Sequence, residues 1–343
     1  METNKNVIAT YAAYSRNHNL RMDSSSGAIF SHLAEIIIIE AGVVYGVAMT
    51  DDCSRAEYVR INKIEDLGRL RGSKYMQAFI GNTFASVKKD LDEGILVMFS
   101  GTGCQINGLK AFLGKDYSNL LCVDIICHGV PSQKLWEAYH RSIENKYGSK
   151  VVAVNFRDKK YGWSDFGIAK VDSHHQAVYR SKNTDPYMLM FLRDFCLRPS
   201  CYECHAKTVK KADVTLADFW GVNKVIPRYN DGLGISLVIL RTEKGKNIFD
   251  LITDRIENRE ISYEQGIIGN KAEYQSAIRP QERDMFYKDM NSLSFEDLSE
   301  RYAVPTKISV MNKMKRIVKR IVAILTKGRK FRGGYDKLTM IKE

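Results

Sequence analysis

Apolar residues along the chain fall in two rhythms. Short consecutive apolar runs bounded by Gly, Asn or Asp alternate with longer stretches in which apolar residues recur every three to four positions. The first rhythm marks buried strands and the second amphipathic helices. The stretch "MDSSSGAIFSHLAEIIIIEAG" predicts a polar turn feeding a helix that ends near Gly42, and Val43 to Met49 then predicts a strand. The segment beginning at Ile64 reads as helical on both sides of a break at Gly72-Ser73-Lys74-Tyr75. A strand over 95–99 leads through the turn Ser100-Gly101-Thr102-Gly103 into a helix reaching about Gly114. "NLLCVDIICHG" is a further buried strand, and "SQKLWEAYHRSIENKYG" a further helix. Strands alternating with helices predict an α/β fold, with a mostly parallel sheet flanked by helices.

The middle of the chain breaks this alternation. "KVVAVNFRDK", "DFGIAKVD" and "QAVYRS" predict a strand-rich insertion over about 150–182. "PYMLMFLRDF" is a helix leading into "CLRPSCYECHAK", and "ADVTLADFWG" and "GISLVILRT" add two apolar strands. Near the end, Met311, Met314, Val318, Ile321 and Leu325 recur at alternating steps of three and four, which predicts a C-terminal helix with one apolar stripe. The expected organisation is one domain over 1–304 containing the insertion, and a basic amphipathic tail over 305–343.

Composition narrows the class. The 343 residues are 44% hydrophobic, as in a soluble globular protein. No apolar run approaches the roughly 20 residues that span a bilayer, and "METNKNVIATYAAYSRN" has no signal-peptide core, so a cytoplasmic location is expected. The net charge is +12, but 311–343 holds eleven Lys or Arg against Asp336 and Glu343, which leaves only +3 for the rest. A nearly balanced body argues against a nucleic-acid partner. The basic stripe-bearing tail suits peripheral contact with an anionic membrane or docking on an acidic redox partner, unless it packs on the body.

Seven cysteines in such a chain call for metal binding or burial rather than disulfides. Cys201 and Cys204 form a C-x2-C pair, whose spacing suits two thiolates on one metal or cluster. Cys104 and Cys127 each follow an apolar strand, at the carboxyl edge of the sheet where α/β folds bind ligands. Cys53 and Cys122 read as buried, and Cys196 is an alternative to Cys104. Zinc and iron–sulfur clusters both accept four thiolates, so the metal stays open on these residues alone. Three turns favour anions: Ser24-Ser25-Ser26-Gly27 opening a helix, Arg71-Gly72-Ser73-Lys74-Tyr75, and Ser100-Gly101-Thr102-Gly103. Together they suggest a nucleotide-like cofactor, although neither GxGxxG nor a Walker loop is present.

The motifs "SSSGAIFSHLAE", "LRGSKYMQ", "FSGTGCQINGLKAFLGKDYSNLLCVDIICHGVPS", "FCLRPSCYECHAK" and "ADVTLADFWGV" run in order through about residues 10–240. They resemble the coenzyme F-420 hydrogenase/dehydrogenase beta-subunit family. The resemblance implies an iron–sulfur flavoprotein oxidoreductase with FAD beside a [4Fe–4S] cluster. It implies Cys104, Cys127, Cys201 and Cys204 as cluster ligands, and Ser26, Gly27, Ser73, Lys74, Thr102 and Asp218 as residues in FAD-contacting motifs. The substrate would be a deazaflavin or another small organic molecule. Two departures stand out. No cysteine precedes Cys53, so the ferredoxin-like domain common in the family is expected to be absent, and a separate electron-transfer protein such as a ferredoxin to replace it. Gly103 stands where the family usually has proline, which should loosen the turn. The rival readings are a structural zinc protein without redox activity and a degenerate scaffold. His128, next to Cys127, is expected to make a structural hydrogen bond.

Overall fold

The computed structural model describes residues 7–305. Its strands, in chain order, are β1 (Ala9–Ser15), β2 (Val43–Met49), β3 (Ala56–Ile61), β4 (Ala78–Phe79), β5 (Val97–Thr102), β6 (Leu120–Ile125), β7 (Val151–Asp158), β8 (Gly167–Asp172), β9 (Ala177–Ser181), β10 (Val214–Asp218), β11 (Ser236–Leu240) and β12 (Ile256–Ile261). Nine of them form one sheet in the order β12-β1-β11-β10-β6-β5-β2-β3-β4. The parallel block expected from the alternation is its centre, β2-β5-β6-β10, and antiparallel pairings carry the sheet outward through β3, β11, β1 and β12. The predicted insertion is a separate three-stranded antiparallel sheet, β7-β8-β9.

The period of two along the central strands sorts their side chains onto two faces. Val44, Met98 and Leu121 pack with helix Ile29–Ile39, while Tyr45, Phe99 and Cys122 pack with helix Gly103–Leu113. A second core, rich in aromatics, fills the space between the insertion and helices Gln133–Tyr147, Pro186–Leu192, Arg283–Ser292 and Phe295–Tyr302. Trp136, Tyr139, Phe156 and Tyr187 are fully buried there.

Strands β1, β3, β4 and β12 go beyond the sequence reading, and β4 stands where a helix is expected directly after the break, the helix itself starting only at Thr83. AEYVRI and IENREI lack a continuous apolar run, ATYAAYS has only the short Tyr11-Ala12-Ala13-Tyr14, and β4 is two residues long. Strand β5 is longer than expected, because Ser100, Gly101 and Thr102 continue to pair with Val123, Asp124 and Ile125. Gly101 is required there, since a Cβ would stand 2.4 Å from the Tyr58 hydroxyl. On that side the approaching group is Tyr58, rather than the ligand that the small residues suggest. The predicted C-terminal helix and its stripe lie outside the described residues. No helix among the described residues is long and apolar enough to cross a membrane.

Candidate functional site

Strand register builds the site. Thr102 of β5 lies opposite Ile125 of β6, and Ile125 lies opposite Leu216 of β10. Two residues further along each parallel strand come Cys104, Cys127 and Asp218, so all three emerge at one carboxyl edge. Helix Gly103–Leu113 starts at once behind Thr102, whose backbone N–H is capped by Gln105 Oε1 at 2.9 Å. The turn beyond Cys127 then receives the Cys201 loop. Arg198 N–H donates to Val130 O at 3.0 Å, Ser132 N–H donates to Cys196 O at 2.8 Å, and Pro131 bridges to Leu197.

Cys104, Cys127, Cys201 and Cys204 line one small pocket of about 30 Å³, with Asp124, His128, Lys207 and Lys210 in its wall. Val130 N–H donates to Cys201 Sγ at 3.4 Å, and Thr102 Oγ1 lies 3.1 Å from Cys104 Sγ. Burial pushes the Cys127 thiol up to about 12, with Cys104 and Cys201 adding to the rise and Lys207 opposing it. Burial also raises Cys201, and there Cys104 and Cys204 contribute. Cys201 is thus within electrostatic reach of each of the other three thiols, and Cys127 of Cys104. Among the described residues, no three His, Cys, Asp or Glu side chains are gathered tightly enough to hold one metal ion. Four thiols lining one pocket are the donor set that a four-iron cluster takes. Cys196 stays outside this pocket, buried in the aromatic core; Cys53 and Cys122 are buried as well.

Asp124 is a buried carboxyl in the same wall, and burial pushes it up to about 6. Its Oδ1 has no hydrogen-bond partner. A Cβ at position 103 would meet Asp124 Oδ2 at 3.1 Å and Ala206 at 3.2 Å, so Gly103 gives these two side chains room.

A large cleft of about 550 Å³ adjoins the cysteine pocket and shares Thr102, Cys104, Cys127 and His128 with it. All three anion-friendly turns line it, and the structure joins two of them: Ser25 Oγ lies 3.0 Å from Ser73 Oγ. Helix Ile29–Ile39 opens onto the cleft without a side-chain cap, its N-cap Ala28 held at φ 69°. Ser26 lines the cleft while its hydroxyl donates to Ile235 O at 2.8 Å. Thr102, Ser73 and Lys74 also line it. Lys74 Nζ donates to Arg69 O at 3.0 Å and to Arg71 O at 2.8 Å, so its ammonium folds its own loop. Gly27 does not line the cleft. It is buried where a Cβ would stand 2.3 Å from Ala13 O and 2.8 Å from Ser236 N, so close backbone packing explains it. Asp218 faces the cleft but is already engaged, accepting from Arg157 Nη2 at 2.7 Å and from Trp163 Nε1 at 2.6 Å. His128 pairs with Asp194 Oδ1 at 2.6 Å, the structural bond expected of it.

The insertion supplies residues that the motif reading missed. Arg157 reaches Asp218, and Lys159 Nζ, buried, donates to Arg21 O, Ser26 O and Leu233 O at 2.8–3.1 Å. Only the basic run Arg157-Asp158-Lys159-Lys160 after an apolar strand hinted at them. The family model that describes the C terminus of the coenzyme F420 hydrogenase/dehydrogenase beta subunit matches residues 95–264. Residues 95–264 thus carry the C-terminal region of this beta-subunit family. That stretch includes all four pocket cysteines and the insertion. The fold is similar to that of a chain from the F420-reducing [NiFe] hydrogenase complex of Methanosarcina barkeri, solved with xenon derivatization. The TM-score is 0.53 at 15% identity, over 86% of this chain and 91% of that one. No curated protein matches the chain. Family membership supports a redox role of the hydrogenase/dehydrogenase kind.

Proposed function

We propose that the chain is an iron–sulfur flavoprotein oxidoreductase. It would move electrons between an iron–sulfur partner and FAD, with hydride transfer to or from a deazaflavin-like or other organic substrate. The observation that carries this reading is that Cys104 and Cys127 line both the cysteine pocket and the cleft. Ligands bound in the two places would be neighbours across that shared wall. A flavin, when bound, supplies the conversion between two-electron hydride chemistry and single-electron steps.

The chain's own residues do the rest. Cys104, Cys127, Cys201 and Cys204 would hold the [4Fe–4S] cluster, and the Val130 amide would hydrogen-bond the Cys201 sulfur. The serine turn, Ser73, Arg71 and the open N-terminus of helix Ile29–Ile39 would bind the dinucleotide's phosphates through N–H, O–H and guanidinium donors. Arg71, Lys74, Arg157, Lys182 and Arg198 line the cleft against the single carboxylate of Asp218, so it favours an anionic ligand. The structural neighbour is part of a hydrogenase complex, which supports a protein electron partner for this chain as well.

Iron and flavin content per chain, measured after anaerobic reconstitution, tests the reading. Iron together with FAD and a broad visible absorption are expected. A colourless, zinc-loaded protein would contradict it, and a folded chain that takes up neither cofactor would leave a scaffold.

A further inference from the structure

Lys207 is a buried cation with no carboxylate partner among the described residues. It is 6% exposed and lines the cysteine pocket. Its ammonium donates to the backbone carbonyls of Cys127 and Ala272, and no described carboxylate lies within ion-pair distance of it. The charges around it are already matched. Glu273, 1% exposed, takes Arg241 at 2.5 Å and Lys210 at 3.1 Å, while Asp124 faces the same two cations. Two carboxylates answer two cations, and Lys207 is left over. A buried ammonium without an anion is costly, and two carbonyl dipoles offset only part of that cost.

The seat of this cation is built from several directions. The turn Lys271–Glu273 supplies the Ala272 carbonyl, and Lys210 Nζ donates to Glu273 O at 2.7 Å. Ser276 Oγ accepts from Cys204 N–H at 2.9 Å, and Asn107 Nδ2 donates to Val209 O at 3.0 Å. Lys207 and the cysteine loop are thus fixed by the same segment, 271–276, which lies beyond the family match.

We propose that Lys207 is the counter-ion of the thiolate-bound group in the cysteine pocket, and that it holds that group's reduction potential up. The proposal rests on reading the four cysteines as ligands. Four thiolates carry four negative charges, more than one Zn²⁺ or the doubly charged core of an oxidised four-iron cluster neutralises. The assembly is a net anion, and a fixed cation beside it favours the form holding one more electron. Lys207 acts through its charge and position; as an ammonium it has no lone pair to ligate.

The test uses the full chain, reconstituted anaerobically with iron and sulfide, as wild type, Lys207→Met and Lys207→Arg. Iron per chain and the midpoint of an EPR-monitored titration are measured. The Met variant is expected to shift the ratio of reduced to oxidised cluster at least tenfold toward oxidised. That is a midpoint lower by about 59 mV for one electron. The Arg variant should stay near wild type. A Met variant with full iron and an unchanged midpoint overturns the proposal, as does an Arg variant shifted as far as Met. If Lys207→Met folds by circular dichroism but takes no iron while Lys207→Arg does, the charge is needed for loading and the proposal stands. If both variants fold and neither loads, it falls. If Lys207→Met does not fold, Lys207→Gln, which keeps a donor without the charge, is judged by the same criteria. Should the wild type take zinc instead of iron, the redox reading fails separately. The counter-ion then shows as zinc affinity at least tenfold weaker in Met than in Arg, and equal affinities refute it.

Discussion

Replacing Arg157 by Met should loosen the wall that joins the insertion to the main sheet. Arg157 Nη2 meets Asp218 Oδ1 at 2.7 Å, with the arginine side chain 2% and the aspartate side chain 18% exposed. The guanidinium also lies 3.8 Å from the centroid of Phe166 and 5.1 Å from that of Trp220. Breaking a buried ion pair typically costs about 3–5 kcal/mol, because one charge is left unanswered. Asp218 has two reliefs: partial exposure, and the bond from Trp163 Nε1. The expected loss therefore falls at or just below the lower end of that range, about 2–3 kcal/mol. Asp218→Asn keeps the side-chain shape, but leaves a guanidinium whose Nε already has no hydrogen-bond partner. If the two residues hold each other, the double variant should be less destabilised than the sum of the single ones by about 1–3 kcal/mol. Urea unfolding of the four proteins, followed by tryptophan fluorescence, measures this, since Trp163 and Trp220 stack at 4.9 Å beside the pair. Additivity within about 0.5 kcal/mol would refute the coupling, and with it the view that this contact joins the insertion to the main sheet.

Gly27→Ala should cost more than about 3 kcal/mol or prevent folding, since three atoms stand within 3.0 Å of the new Cβ; circular dichroism and expression of soluble protein check it. Lys74→Met should cost about 1–2 kcal/mol in urea unfolding and admit proteolysis near residues 69–75, because two carbonyls lose their donor. Asp185→Asn keeps the cap on Met188 N–H but leaves buried Lys170 beside Tyr139 without its carboxylate, a loss of about 3–5 kcal/mol at neutral pH. Burial already lowers Lys170 below the usual lysine value. The folded state then binds fewer protons than the unfolded chain between those two values, and stability rises with pH across that window. Removing Asp185 deepens the depression, so unfolding curves from pH 7 to 9.5 should show a steeper rise in the variant than in wild type.

Much of this was legible in the sequence where one signal dominated. Val43–Met49 is a strand to the residue, because a bounded β-branched and aromatic run has few alternatives. The four strands outside that reading, β1, β3, β4 and β12, lie toward the flanks of the sheet, where side chains need not be apolar on both faces; β12 carries Glu257, Arg259 and Glu260. The four pocket cysteines could be singled out by spacing and by their places after strands. Their remote partners could not: Ala272, whose carbonyl takes Lys207, and Ser276, whose hydroxyl takes Cys204 N–H, come from 65 and 72 residues further along the chain. Gly27 shows the converse: a glycine in an anion-friendly turn reads as a ligand contact, while its close neighbours are the backbone and hydroxyl of remote residues Ala13 and Ser236.

Cofactor analysis of three anaerobically reconstituted proteins, the wild type, Cys204→Ser and Cys53→Ser, tests the central claim most directly. Wild type and Cys53→Ser should hold roughly four irons per chain together with FAD, since Cys53 is buried away from the pocket. Cys204→Ser should lose the iron. Full iron in Cys204→Ser, or a wild-type protein that takes up neither iron nor flavin, would contradict the account.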